Sequence, residues 1–78
     1  VTKILLLGPA REAAGVRHDE VEGRTVRDVL GGAVARYGAE FARVLERSQV
    51  WCNGDEVDLD QVVGPDDEVA VVPPVSGG

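Results

Sequence analysis

Seventy-eight residues suffice for one domain that buries about 60% of its unfolded surface, room for one modest core and not for a self-contained catalytic pocket of drug size. With 44% hydrophobic and 28% charged residues the chain has the make-up of a globular domain, and no run approaches the roughly 18 apolar residues of a membrane span. Its net charge of −6 is uneven: residues 1–50 carry eight basic and seven acidic side chains, residues 51–78 seven acidic and none basic. That argues against nucleic acid as a partner; it suits either docking of the C-terminal third on a basic surface or simple solubility.

The first element is a strand, TKILLLG. Its unbroken apolar run predicts that both faces are covered, one by the core and one by something else. The same stretch is too short for a signal peptide and lacks a small-residue cleavage pattern, so the chain reads as cytoplasmic. PAREAAG follows, with Pro9 suited to open a helical turn and Gly15 to cap it. VRHDEVE is a second strand, with Val16 and Val21 out of phase as at a bulge or an edge. The lone His18 has no Cys or His near it to complete a metal site.

The main helix comes next. Thr25 is its N-cap and Asp28 lies in its first turn. Val26, Val29, Leu30, Ala33, Val34 and Tyr37 fall on one stripe at helical period, and Gly38 ends it. Gly31 and Gly32 each cost about 1 kcal/mol there relative to Ala, and suit close approach of a neighbouring element. A shorter helical pattern runs from Phe41 to Leu45.

QVWCNGDEVDL is a hairpin turning at Asn53-Gly54, since both residues accept positive φ. The only cysteine, Cys52, reads as a buried core thiol. Gly64-Pro65-Asp66-Asp67 is a second turn, and EVAVV is the last strand. Neither GPAREAAG nor DEVDLD completes a phosphate loop or a calcium loop.

One sheet of about five strands crossed by one main helix is a two-layer α+β domain in the ubiquitin-like, β-grasp order, spanning residues 1–72. Central pairing of the first and last strands sends Ile4, Leu6, Val69 and Val71 to the helix. It sends Leu5, Leu7, Ala70 and Val72 to the other face, where Trp51 joins them as a partner surface. Residues 73–78, PPVSGG, form a tail. Pro73 and Pro74 cannot donate to a ladder and stiffen the exit; Val75 suits a groove; Ser76 is small; Gly77 and Gly78 can thread a narrow channel. From Val75 the last four residues reach about 13–14 Å.

VAVVPPVSGG, REAAG at 11–15 and GPDDEVAVVPP together resemble the small subunit of molybdopterin synthase, within the ubiquitin-like MoaD/ThiS sulfur carriers. CNGDEV is also similar to the hairpin of the thiamine-pathway carriers. The resemblance implies that Gly78 is the reactive residue, adenylated by a ubiquitin-activating-type adenylyltransferase with ATP and then thiocarboxylated by that system's sulfur donor. It implies a tail, Pro73 to Gly77, that inserts into the large synthase subunit, with sulfur passing to a cyclic pyranopterin monophosphate. It implies no resident cofactor or metal, and neither nucleic acid nor membrane as partner. A carrier for thiamine or cysteine synthesis, a ubiquitin-like modifier whose only lysine is Lys3, and a plain interaction domain with an inert tail are the alternatives.

Overall fold

A computed structural model describes residues 1–74. In chain order the elements are β1 (Thr2–Leu6), α1 (Gly8–Ala14), β2 (His18–Val21), α2 (Val26–Tyr37), α3 (Ala39–Glu46), β3 (Gln49–Cys52), β4 (Asp55–Glu56) and β5 (Glu68–Val72). The five strands form one mixed sheet in the order β2-β1-β5-β3-β4. At its centre β1 and β5 run parallel, Ile4 opposite Val69 and Leu6 opposite Val71. Every other neighbouring pair is antiparallel. This is the α+β, β-grasp arrangement anticipated from the order of elements.

Alternation along the central strands divides their side chains between two faces. Ile4, Leu6, Val69 and Val71 are buried with Val26, Val29, Leu30 and Ala33 of α2 and with Phe41 and Val44 of α3. Three helices are present among the described residues: α2, the main one, and two shorter ones, α1 and α3, where the sequence pointed to a helical turn at PAREAAG and a short helical pattern from Phe41 to Leu45. The short helix α1 opens at Gly8, one residue before Pro9, and is capped by Gly15 in the left-handed region at φ 80. Strand β2 is shorter than its apolar pattern: Val16 lies outside it and is exposed, and regular pairing runs from His18 to Val21.

The start of α2 is fixed twice. Thr25 Oγ1 accepts from the Asp28 N–H at 3.2 Å, and Asp28 Oδ2 accepts from the Arg24 N–H at 3.2 Å. Reciprocal bonds of this kind satisfy donors that the first helical turn leaves without partners. The two glycines of α2 differ in surroundings. A Cβ at Gly32 would lie 2.7 Å from Val21 Cγ1, whereas one at Gly31 would meet nothing within 4 Å. Gly32 thus lets α2 approach β2 closely.

A polar latch joins the same two elements. Tyr37 Oη donates to Asp19 Oδ2 at 2.5 Å, Arg36 Nη1 lies 3.0 Å from that oxygen, and Arg36 Nη1 donates to the Glu20 carbonyl at 2.8 Å. Burial, reinforced by the bond to Asp19, pushes the Tyr37 phenol up to about 12. The bond from Tyr37, followed by the Glu20 N–H, holds the Asp19 carboxyl below its usual range. Tyr37 also meets the edge of Phe41, with ring centroids 5.2 Å apart.

Two outcomes are expected. Gly32→Ala destabilises by about 1–3 kcal/mol through overpacking on β-branched Val21, whereas Gly31→Ala stabilises by up to about 1 kcal/mol, both read from urea unfolding. The raised Tyr37 value makes stability fall as pH climbs from 10 towards about 12, because the unfolded phenol ionises first. Tyr37→Phe removes that part of the alkaline decline, as denaturant midpoints on either side of pH 10 report.

Candidate functional site

The face of the sheet turned away from the helices carries a row set by register. His18 pairs with Leu5, Leu5 with Ala70, Ala70 with Trp51 and Trp51 with Glu56. Leu5, Ala70 and Trp51 are half-buried, and the two ends of the row are exposed. Val72, opposite Gln49, extends the apolar strip towards the end of β5. On the other side of the row Lys3 stands between Glu20 and Glu68, its partners on the two neighbouring strands. The result is a narrow apolar strip with a charged border, the composition of a partner surface rather than a ligand pocket.

Of the residues expected there, Leu5, Trp51 and Val72 share this face. Leu7 lies just beyond β1 as the N-cap residue of α1, in extended conformation at φ −121, ψ 151, and is half-buried. Trp51 Nε1 is covered and has no hydrogen-bond partner among the described residues.

The far end of β5 is stapled rather than reactive. Asn53 (φ 53) and Gly54 (φ 88) form the two-residue turn between β3 and β4. The Asn53 side chain then bridges to the next turn. Its Nδ2 donates to Asp67 Oδ1 at 2.8 Å, and its Oδ1 accepts from the Glu68 N–H at 3.0 Å. The Gly64 N–H donates to Asp67 Oδ2 at 2.8 Å. Asn53 and the Gly64 amide hold the Asp67 carboxyl below its usual range. Burial, with the Asp67 charge nearby, raises the Cys52 thiol, so it stays a core thiol rather than a nucleophile. Among the described residues no group of three His, Cys, Asp or Glu could hold a metal ion, and no helix is long and apolar enough to cross a membrane.

The root of the tail lies at the opposite end. Val72 is the last residue paired in the sheet. Pro73 is buried and Pro74 exposed. Together with Pro9, Val44 and Arg47 they line a groove of about 270 Å³ where α1 and α3 meet the end of β5. Sequence reasoning missed Pro9, Val44 and Arg47, because contact among positions 9, 44 and 73 leaves no periodic trace in the chain. Val75, Ser76, Gly77 and Gly78, on which the expected chemistry falls, lie outside the described residues.

A β-grasp sheet, an apolar outer strip and a Gly-Gly tail rooted on the central strand define the class of small ubiquitin-like sulfur carriers and modifiers. Residues 4–78 match the ThiS family, and the chain belongs to it. A search of curated proteins returns no match. Among solved structures, SAMP1 from Haloferax volcanii is 32% identical over 99% of this chain and 98% of its own, with a TM-score of 0.82. The small archaeal modifier protein 1 of Methanosarcina acetivorans is 28% identical over 99% of this chain and 95% of its own, at 0.86. A Pyrococcus furiosus chain provisionally described as molybdopterin converting factor, subunit 1 is 27% identical over 95% of this chain and 97% of its own, at 0.82.

The partnerless Nε1 of Trp51 has a direct consequence. Trp51→Phe deletes a covered donor that makes no bond among the described residues, so it costs under about 1 kcal/mol. Trp51→Ala also strips apolar contact and costs more. Chemical denaturation followed by circular dichroism separates the two.

Proposed function

We propose that this chain is a sulfur carrier and the small subunit of a molybdopterin synthase, with Gly78 as its reactive residue. The observation that carries the reading is the placement of Pro-Pro-Val-Ser-Gly-Gly directly after the central strand of a ThiS-family domain. Carriers of this family form a C-terminal thiocarboxylate. The likeness to the Pyrococcus furiosus chain supports the molybdopterin assignment in particular.

The chemistry follows from what a carboxylate lacks. The Gly78 carboxylate is a poor electrophile. An oxygen of it attacks the α-phosphorus of ATP on an activating enzyme, giving an acyl-adenylate and releasing pyrophosphate. Sulfide-level sulfur supplied by a donor of that system then attacks the acyl carbon, AMP leaves, and a thiocarboxylate remains. Its sulfur is a soft nucleophile, ionised at neutral pH, suited to delivery into a cyclic pyranopterin monophosphate bound by the large subunit. The body supplies docking through Leu5, Trp51 and Val72, and the large subunit supplies the pocket.

A second reading has its own support. The 32% identity with SAMP1 and the likeness to a small archaeal modifier protein favour attachment of Gly78 to lysines of other proteins. Carriage of sulfur for thiamine or cysteine synthesis belongs to the same class as the first reading.

Intact mass is the deciding measurement. Incubation with a cognate activating enzyme, ATP and a sulfur donor is expected to replace one oxygen by one sulfur at Gly78. Removal of Gly78 is expected to abolish the exchange and leave the thermal midpoint unchanged. Absence of the exchange with a competent enzyme sinks both carrier readings. Co-purification with a molybdopterin synthase large subunit supports the first reading; isopeptide conjugates on other proteins, without it, support the second.

A further inference from the structure

The two prolines at the root of the tail are in different environments, and the difference assigns them different work. Pro74 is exposed. Pro73 is buried, one residue beyond the last ladder pair; both prolines line the groove with Pro9, Val44 and Arg47, but only Pro73 is covered. A chain leaving the domain at the end of a strand has no need of a buried residue beyond it. The geometry points to Pro73 as a positioning residue: seated between α1 and α3, it fixes where and in what direction the reactive tail leaves the body. This rests on the reading of Gly78 as the reacting residue.

Three physical facts make the seat effective. The parallel pairing of β1 with β5 brings the Leu7–Gly8 turn into α1 to the same end of the sheet as Val72. Gly8, at φ 52, makes that turn, and Pro9 then lines the groove. Proline fixes its own φ near −65° and biases the residue before it towards extended backbone, so Val72 and Pro73 have little freedom once the ring is buried. Leverage makes this matter. Drawn out, the five residues from Pro74 to Gly78 span about 16–17 Å, so a swing of about 20° at their root moves the terminus by about 6 Å. Reaction requires the partners within about 3–3.5 Å, and misplacement by about 1 Å can cost a hundredfold.

The role is tested in two ways, one of which does not depend on the chemistry. With a cognate activating enzyme, ATP–pyrophosphate exchange is measured for Pro73→Gly, Pro73→Val and Pro74→Gly. Pro73→Gly is expected to lower kcat about tenfold and leave KM for the carrier within about twofold, since the docking strip is untouched. Pro73→Val restores the buried bulk at this position and is expected to recover most of the rate, and Pro74→Gly to have the smaller effect. A loss confined to KM, or a Pro74→Gly defect equal to that of Pro73→Gly, overturns the proposal. In the free protein, nitroxides at Pro74→Cys and at Val62→Cys, in a Cys52→Ala background, report the distance between tail root and body. Pro73→Gly is expected to broaden that distribution; an unchanged width overturns the anchoring whatever the kinetics show. If the wild-type chain is never adenylated, the functional reading fails, and the distance measurement still judges the anchor.

Discussion

The parallel ladder between β1 and β5 is the constraint on which the rest of the molecule depends. Two parallel strands cannot be joined by a tight turn, so the chain between them must cross over. Here that crossover holds all three helices and the remaining strands. Parallel alignment also puts the end of β5 beside the end of β1. The exit of the tail and the entry to α1 are therefore one place, and a groove between helices and strand end forms at the base of the tail. Had the strands paired antiparallel, the tail would leave from the other end, beside the first residues of β1.

The same ladder settles what each strand residue does. Ile4 opposite Val69 and Leu6 opposite Val71 fill the core, and Leu5 opposite Ala70 fills the outer strip. A slip of one residue would exchange these sets and expose the valines that pack on Phe41 and Val29. Outer face and core are thus specified by one register. The staple of Asn53 to Asp67 and Glu68 guards that register at one end, and the seat of Pro73 guards it at the other. The latch of Tyr37 and Arg36 on Asp19 holds α2 against edge strand β2, where Gly32 has removed the bulk that would keep them apart.

What could be read from the chain divides along the same physical line. Local signals were legible because their cause is local. Thr25 caps a helix through its own next turn, Asn53-Gly54 turns a hairpin by its own φ angles, and the stripe from Val26 to Tyr37 repeats at a helix's own period. The alternation of Ile4, Leu6, Val69 and Val71 was legible once central pairing was supposed. Contacts between distant positions were not. Val16 carries the apolar character of a strand residue, yet β2 begins only at His18. Leu7 continues an apolar run, yet it belongs to the turn into α1. The burial of Pro73 depends on Pro9 and Val44, far from it in sequence. Its proline signals a strand end and says nothing about a seat.

The molecule separates its stability from its chemistry. Its acids are spread over helices, strands and turns, its one cysteine is shielded, and its one histidine sits at the edge of the outer row. Among the described residues no three of His, Cys, Asp and Glu are gathered into a metal-binding cluster. Such a body suits a terminus that does its chemistry inside another protein, because a reactive group of its own would compete for the activated carbonyl. What the body must provide is geometric: a face that docks in one orientation and a tail that starts from one point. The outer strip meets the first requirement and the groove around Pro73 the second, and β5 carries both. Ala70 and Val72 lie on the outer face, and Pro73 follows them directly in the chain. On the proposed reading, docking and delivery are coupled through about three residues of backbone, so a partner that grips the strip also aims the terminus.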